Sequence, residues 1–185
     1  MKKTKLSALL LALTACSLSL PVSALQVGQG LVTFSGQVVT DTCNIVNDNL
    51  VVPLPTVSTH TMTTAGIETG IRNFNIDVVD CPDSFKKVQA HFEPLTSIGT
   101  GQINYKTWNL VNDYVDTTGT NSAASNVEVR LYNADHSQIR PGDTGSEVDV
   151  VNGTARMTYA GGYYTTGAAG AGMVSAHIVY TLAYP

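Results

Sequence analysis

The sequence predicts an all-β fold, a sandwich of packed β-sheets, and three observations support this. Apolar and polar residues alternate in nearly every segment that looks ordered, which is the period of a strand with one buried face. Clusters of Gly, Pro, Asn and Asp separate these segments. No convincing amphipathic helix is present, and at most one helical turn is expected near Thr107 to Leu110. Short strands separated by turns are typical of a β-sandwich.

The first 24 residues are predicted to be a signal peptide. A cationic start is followed by an apolar run from Leu6 to Ala15, which is too short to span a membrane. Val22-Ser-Ala24 then fits the small-x-small cleavage pattern, so cleavage after Ala24 is favoured. The alternative is a lipid on Cys16, which would indicate a lipid-anchored periplasmic β-sandwich binding module. The mass of the mature N-terminus, beginning at Leu25 or at a lipidated Cys16, separates the two.

The mature segment, residues 25–185, has the length of one domain with a sizeable core. Without the three lysines of the leader it carries seven basic and fourteen acidic residues, a net charge of −7. Nucleic acid and anionic lipid are therefore poor partners. Charged residues make up only 13% of the chain, and Thr, Ser, Asn and Gly fill the polar positions instead. This composition is typical of an exported β-protein.

Two cysteines remain in the mature segment, Cys43 and Cys81. In an exported chain an even pair predicts a disulfide. Closing a loop of this length contributes roughly 3–4 kcal/mol in the chain-entropy treatment. The two positions lie 38 residues apart, which lacks the short spacing of a zinc or redox pair.

Seven alternating segments are predicted as strands, separated by turn signals such as Asn47-Asp48-Asn49, Pro53 to Pro55 and Asn152-Gly153. Their apolar positions are Val32, Phe34 and Val38; Phe74, Ile76 and Val78; Val88, Ala90 and Phe92; Val127, Val129 and Leu131; Val148 and Val150; Ala155, Met157 and Tyr159; and every second residue from Val174 to Tyr184. The stretch from Gly99 to Ser125 is expected to be a long surface connection.

The two ends of the mature segment carry complementary features. The C-terminal strand is apolar and contains none of the Lys, Pro or bulge signals that protect exposed edges, since Pro185 comes only after it. The N-terminal segment from Leu25 to Gly36 alternates, is short of charge and has no obvious place in its own core. The chain thus offers an unfilled edge and a spare strand. That strand can fold back on its own domain or pair with the next copy in a head-to-tail polymer.

The sequence shows no arrangement of catalytic or metal-binding residues. The four histidines are far apart and lack metal-ligand spacing, and no serine sits in a nucleophile elbow, so no enzyme, cofactor or metal site is expected. His177 is predicted on the wetter face of the last strand. The acidic pairs Asp113/Asp116 and Glu147/Asp149 are interpreted as solvated loop charges.

Several segments resemble the pilus subunits of the type 1 and P-pilus kind, which the chaperone–usher pathway assembles. Gly172 is fourteenth from the C-terminal residue and Tyr184 is penultimate, as in the closing strand of that family. The other segments that carry the resemblance are Gly30–Gly36 followed by Cys43, Phe74–Cys81, Asn126–Asn133, Tyr159–Tyr164 and Gly170–Val174. The resemblance covers essentially the whole mature chain.

The resemblance implies an incomplete immunoglobulin-like β-sandwich that lacks its last strand, with a pilin domain at 36–185 and a donor-strand extension at 25–35. A periplasmic chaperone would lend a strand beside the C-terminal one and hold the carboxylate of Pro185. At an outer-membrane usher, the extension of a neighbouring pilin subunit would replace it, and the product would be a fimbrium on the cell surface. A host-cell receptor stays open as a further partner, with Gly99 to Ser125 as its candidate surface.

The resemblance also assigns roles to individual residues. The donor side chains would lie on the face of Gly28, Gly30, Val32 and Phe34. The opposite face carries Leu25, Val27 and Leu31, so the pattern leaves the register open. The edge that accepts a chaperone or donor strand would comprise Gly172, Val174, Ala176, Ile178, Tyr180, Leu182, Tyr184 and Pro185.

Overall fold

The computed structural model describes residues 30–39, 41–95 and 101–185. The predicted signal peptide, Cys16 and Gly28 lie outside these ranges. The described residues form ten strands and one short 3₁₀ helix (Thr59–Thr61), which confirms the all-β prediction. The strands are β1 (Asn44–Ile45), β2 (Glu68–Val79), β3 (Lys87–Glu93), β4 (Ile103–Asn104), β5 (Asn109–Val111), β6 (Val127–Asn133), β7 (Gln138–Ile139), β8 (Val148–Asp149), β9 (Ala155–Thr165) and β10 (Val179–Ala183).

The strands form two antiparallel sheets. The larger has the order β1-β2-β9-β6-β5-β4, with β7 also paired to β6, and the smaller has the order β10-β3-β8. The longest ladder joins β2 to β9, with a register shift between Thr69 and Arg72. The predicted turn at Asn152-Gly153 is confirmed: both residues have positive φ, and Val151 and Thr154 exchange backbone hydrogen bonds across it.

The inner faces of the two sheets meet in one hydrophobic core. Ile76 in β2, Phe92 in β3 and Met157 in β9 are at most 1% exposed. The ring of Phe92 meets the ring of Tyr159 edge to face, with centroids 5.1 Å apart. The hydroxyl of Tyr159 accepts a hydrogen bond from the N–H of Ala90 at 3.1 Å. The alternation in these strands thus predicted correctly which side chains are buried.

The predicted disulfide between Cys43 and Cys81 is confirmed. Cys43 directly precedes β1 and Cys81 lies two residues after the end of β2, and both cysteines are buried. In the ladder next to it, Asn44 pairs with Val79. The cross-link therefore fixes an edge strand of only two residues to the larger sheet.

The limit of at most one helical turn near Thr107 to Leu110 holds, whereas the expected long surface connection from Gly99 to Ser125 is interrupted by two strands. The residues near Thr107 form a β-turn between β4 and β5, in which the N–H groups of Thr107 and Trp108 donate to the carbonyl of Asn104. The stretch expected to be a surface connection contributes both of these strands, and Asn109 and Leu110 are 1% and 2% exposed. A polar residue such as Asn109 is buried here because its amide donates to the carboxylate of Glu128 at 2.9 Å.

The chain divides into two units, Met1–Val38 and Val39–Pro185. In the first unit the structure describes residues 30–38, which form no strand, so the predicted strand over Val32, Phe34 and Val38 is absent here. Those three side chains are 73%, 91% and 99% exposed. A strand needs a hydrogen-bonded neighbour to be stable, and no strand pairing in the described residues includes this segment.

Candidate functional site: a groove beside the C-terminal strand

The C-terminal strand β10 lies at the edge of the smaller sheet. It pairs with β3 from Val179 opposite Glu93 to Ala183 opposite Gln89. Among the strands that the structure describes, β3 is the one partner of β10. The other side of β10 therefore carries backbone N–H and C=O groups without a ladder, which is an edge that favours pairing with another chain.

The strand is shorter than the alternating run predicted from the sequence, because residues 174–178 lie outside it. The N–H of Met173 donates to the carbonyl of Ser122 at 2.8 Å, and the N–H of Ala124 donates to the carbonyl of Met173 at 2.9 Å. The first half of the edge thus contacts the loop before β6, and the second half pairs with β3.

Gly172 lies where this segment comes closest to the loop. A Cβ atom at this position would lie 2.4 Å from the backbone N of Ala124 and 2.5 Å from the carbonyl O of Ser122. Any side chain would displace backbone, so the close approach requires glycine. This explains in physical terms why the position fourteenth from the end is glycine.

A groove of about 860 Å³ runs along this edge. One of its walls is segment 172–180 and the other is segment 48–57. Its floor consists of apolar side chains from β2, β3, β5 and β6. They are Phe74, Phe92, Leu110, Val129 and Leu131. Of these, Phe74 and Val129 are half-buried and the others are buried, so the groove is an apolar channel above the core, beside an unpaired strand edge.

The second wall, segment 48–57, belongs to no strand. Leu50, Val52 and Leu54 are half-buried, whereas Val51 between them is 83% exposed. Residues 50–57 make no backbone hydrogen bond with the rest of the described chain. The Asn, Asp and Pro residues of this region predict turns, and the missed signal is the alternation of its apolar residues.

The inward side chains of the C-terminal edge are only partly buried. Val174 packs against a small cluster that includes Met62 and Val127. The others pack against the main core, and they are Ala176, Ile178, Tyr180, Leu182 and Tyr184. The alternation correctly placed these side chains on the inner face. Their incomplete burial follows from the open groove beside them.

The end of the edge is anchored next to the disulfide. The hydroxyl of Tyr184 accepts a hydrogen bond from the N–H of Cys43 at 2.9 Å and contacts the hydroxyl of Thr42. Its ring stacks on Phe85, with centroids 4.0 Å apart and planes inclined by 12°. The penultimate tyrosine therefore fixes the position of the chain end, where Pro185 is exposed.

The acidic residues near the groove differ from one another. The side chain of Asp113 is 3% exposed and lies 2.9 Å from Nδ1 of His177, so its interpretation as a solvated charge was wrong. Asp116 is exposed, and hydrogen bonds from the N–H groups of Thr118 and Asn121 lower the pKa of its carboxyl. His177 is 54% exposed, as its place on the wetter face predicted. Sequence alone missed Asp113 because its partner is distant along the chain.

Within residues 30–39, 41–95 and 101–185, no cluster of three His, Cys, Asp or Glu side chains is arranged to hold a metal ion. The same ranges contain no helix with the length and apolarity needed to cross a membrane.

Comparison with solved structures identifies the class of fold. The chain aligns over 88% of its length with 99% of a chain from a chaperone–usher pilus, with a TM-score of 0.58 and 17% identity. It aligns over 78% of its length with all of the P pilus rod subunit PapA, with a TM-score of 0.56 and 15% identity. The fold is the incomplete immunoglobulin-like sandwich of chaperone–usher pilins.

Comparison with sequences identifies the family. The fimbrial protein family matches residues 32–184. The F17 fimbrial protein of Escherichia coli is 35% identical over 167 residues, which cover 84% of this chain and 87% of that protein. The major fimbrial subunit SMF-1 of Stenotrophomonas maltophilia (strain K279a) is 31% identical over 174 residues, which cover 87% and 95%. The chain belongs to the fimbrial protein family and is a structural subunit that polymerises into a fimbrium at the cell surface.

Proposed function

We propose that the groove receives the N-terminal segment 25–35 of a neighbouring copy, so that subunits join head to tail by donor-strand exchange. The observation that carries this proposal is the groove itself, an apolar channel between segments 172–180 and 48–57 whose floor includes the half-buried Phe74 and Val129. An added strand would pair with the free edge of β10 and cover the floor. One inserted segment would therefore both pair with the free backbone groups of β10 and cover the apolar floor of the groove.

The donor segment has the side chains that such a groove requires. Val32 and Phe34 are 73% and 91% exposed in the single chain, and burying each would contribute about 1.5–3 kcal/mol. Gly30 on the same face, and Gly28 outside the described residues, let the backbone lie close to the floor. In the single chain the apolar side chains of Val32 and Phe34 are thus exposed, and the edge of the groove has no added strand.

The same reasoning extends to the assembly route. An exported subunit with an open groove exposes core to the periplasm, which invites aggregation. A periplasmic chaperone that lends a strand beside β10 and holds the carboxylate of Pro185 would cover the groove until the subunit reaches an outer-membrane usher. The neighbouring subunit's extension would then replace the chaperone strand.

The face of the donor that enters the groove can be tested with two matched double variants. Val32→Asp with Phe34→Asp places charges toward the apolar floor in the proposed register, and we expect it to abolish polymers. Leu31→Asp with Thr33→Asp places the same charges on the other face and is expected to leave polymers intact. The measurement is light scattering and electron microscopy of the purified mature chain. If the variant with Asp at 32 and 34 polymerised and the variant with Asp at 31 and 33 did not, the other face of the donor would enter the groove.

A second candidate function is adhesion through the turn between β4 and β5. Tyr105 is 70% exposed and packs edge to face against Trp108, with centroids 5.5 Å apart. The guanidinium of Arg140 lies 5.8 Å from the centre of the Trp108 ring. Exposed aromatic and Arg side chains are enriched at protein interfaces. Among the relatives, the laminin-binding fimbrial subunit ElfA of Escherichia coli O157:H7 is 29% identical and covers 97% of this chain.

Binding to immobilised laminin tests this second function. We expect Tyr105→Ala to weaken binding by about tenfold, because loss of an aromatic anchor typically costs more than 1 kcal/mol. Val151→Ala, at an exposed apolar position elsewhere on the domain, is the control that should bind as the unaltered chain does. Equal binding of both variants would exclude the aromatic turn as the contact surface.

A further inference from the structure

The first half of the C-terminal edge is held by a side-chain amide where a strand ladder would otherwise be expected. The Nδ2 group of Asn112 donates to the carbonyl of Met173 at 2.9 Å and to that of Ala124 at 3.0 Å. Its Oδ1 atom accepts from the N–H of Ser175 at 3.0 Å. One amide thus binds the loop before β6 and the C-terminal edge together.

The pattern of these bonds is the pattern of a neighbouring β-residue. In a parallel ladder, one residue binds the C=O before and the N–H after the residue opposite to it. Asn112 binds the C=O of Met173 and the N–H of Ser175, which flank Val174. The amide therefore fixes the backbone of Val174, whose side chain lines the groove.

The next residue extends this attachment along the edge. The N–H of Asp113 donates to the carbonyl of Ser175 at 2.8 Å. Its carboxylate lies 2.9 Å from Nδ1 of His177 and accepts from the N–H of Gly101 at 3.0 Å. The side chain of Asp113 is 3% exposed, so its carboxylate is shielded from water, whereas His177 is 54% exposed. Asn112 and Asp113 together hold residues 173–177 on the side away from the donor.

We propose that Asn112 and Asp113 are positioning residues for strand exchange: they keep residues 173–177 extended while the groove is empty. The inference rests on the proposed donor-strand function. An extended segment outside a strand loses backbone entropy that a ladder would normally offset. The hydrogen bonds from Asn112 and Asp113 offset this entropy loss on one side of the segment, so the side that faces the donor is already ordered before the donor binds. Their effect therefore falls on the association step, and much less on the release of a donor already bound.

The test uses the full mature chain at nanomolar concentration and a fluorescent synthetic peptide of residues 25–36. Asn112→Ala removes the three hydrogen bonds to the edge and the loop before β6, and also the local one that Oδ1 accepts from the N–H of Tyr114. We expect peptide association to slow by about tenfold. Asn112→Asp preserves the shape and the acceptor for Ser175 but turns a carboxylate oxygen toward two carbonyl oxygens, so association should slow further. The matched control is Asn121→Asp, at an exposed residue of the same loop, which should associate at the unaltered rate. Peptide release should change by less than association in each variant.

Hydrogen exchange of the Ser175 amide in the peptide-free chain is the second measurement. Faster exchange in Asn112→Asp than in Asn121→Asp supports the proposal. Unaltered association and exchange in Asn112→Asp would overturn it, as would an effect confined to peptide release. If the unaltered chain bound no peptide, the donor assignment would fall, and the exchange comparison would still decide whether Asn112 orders the edge.

Discussion

Removal of residues 25–34 is expected to give a domain that accepts a donor strand but cannot supply one. The groove lies entirely within Val39–Pro185, so its walls and floor stay intact in this variant. The segment that would fill the neighbouring groove is gone. The shortened chain alone should therefore form no polymer, whereas the full mature chain should polymerise. Because donor and groove act in different copies, one deletion affects only one end of each contact.

Mixing the two chains makes this expectation quantitative. Each shortened chain that enters a polymer should stop its growth, so equal amounts of both chains should give polymers of only a few subunits. Light scattering and electron microscopy measure the length distribution. A synthetic peptide of residues 25–36 should bind the shortened chain without restoring growth. Fibres formed by the shortened chain alone would show that the donor lies elsewhere.

The sequence was sufficient for the long strands of the fold. In β2, β3 and β9 the predicted apolar residues lie on the buried face, because one face of each strand packs on the core. In β6 both faces are covered, since Glu128 and Tyr132 on the opposite face are 5% and 2% exposed. The short strands β1, β4, β5 and β7 have two or three residues, too few for a period to be recognised. Asn109 adds a second reason, since its burial depends on Glu128, a partner nineteen residues away.

The candidate site was recognised from one wall only. The apolar C-terminal run predicted an edge, and β10 is an edge strand in the structure. The opposite wall, 48–57, was not predicted, because Pro53 and Pro55 indicate turns. Prolines in fact suit this position, since they lack the N–H that an unpaired segment would leave unsatisfied. Asn112 gave no signal at all, because an amide that bridges two distant backbones has no local pattern.

Three features of the single chain leave backbone or apolar groups without partners, and all three concern the groove or its proposed donor. Residues 30–38 form no strand, β10 has β3 as its one neighbour among the described strands, and the side chains on its inner face are half-buried. In the proposed strand exchange, donor insertion would correct each of these with the same contacts. A subunit stabilised in this way depends on its neighbour for part of its own core, and this links folding to polymerisation. A change on the accepting edge should therefore affect stability and assembly together.

Leu182→Asp is the strongest expected disruption of that edge. The side chain of Leu182 is half-buried against the main core, and a carboxylate there would lose part of its hydration and face apolar side chains, which is unfavourable. We expect the exported variant to be degraded or insoluble, with no chaperone-bound subunit recovered from the periplasm. Tyr180→Asp, two residues earlier on the same face, should behave alike. The measurement is the amount of soluble subunit that co-purifies with a chaperone.

Thr181→Asp provides the matched control, because Thr181 lies between these residues and its side chain is exposed. The same charge on the outer face should leave soluble subunit and polymers close to normal. If Leu182→Asp were recovered as a soluble subunit that still joined polymers, β10 would not be the accepting edge. If all three variants failed alike, β-strand propensity would account for the effect, because Asp disfavours strands wherever it is placed. The inner-face variants must therefore fail while Thr181→Asp assembles.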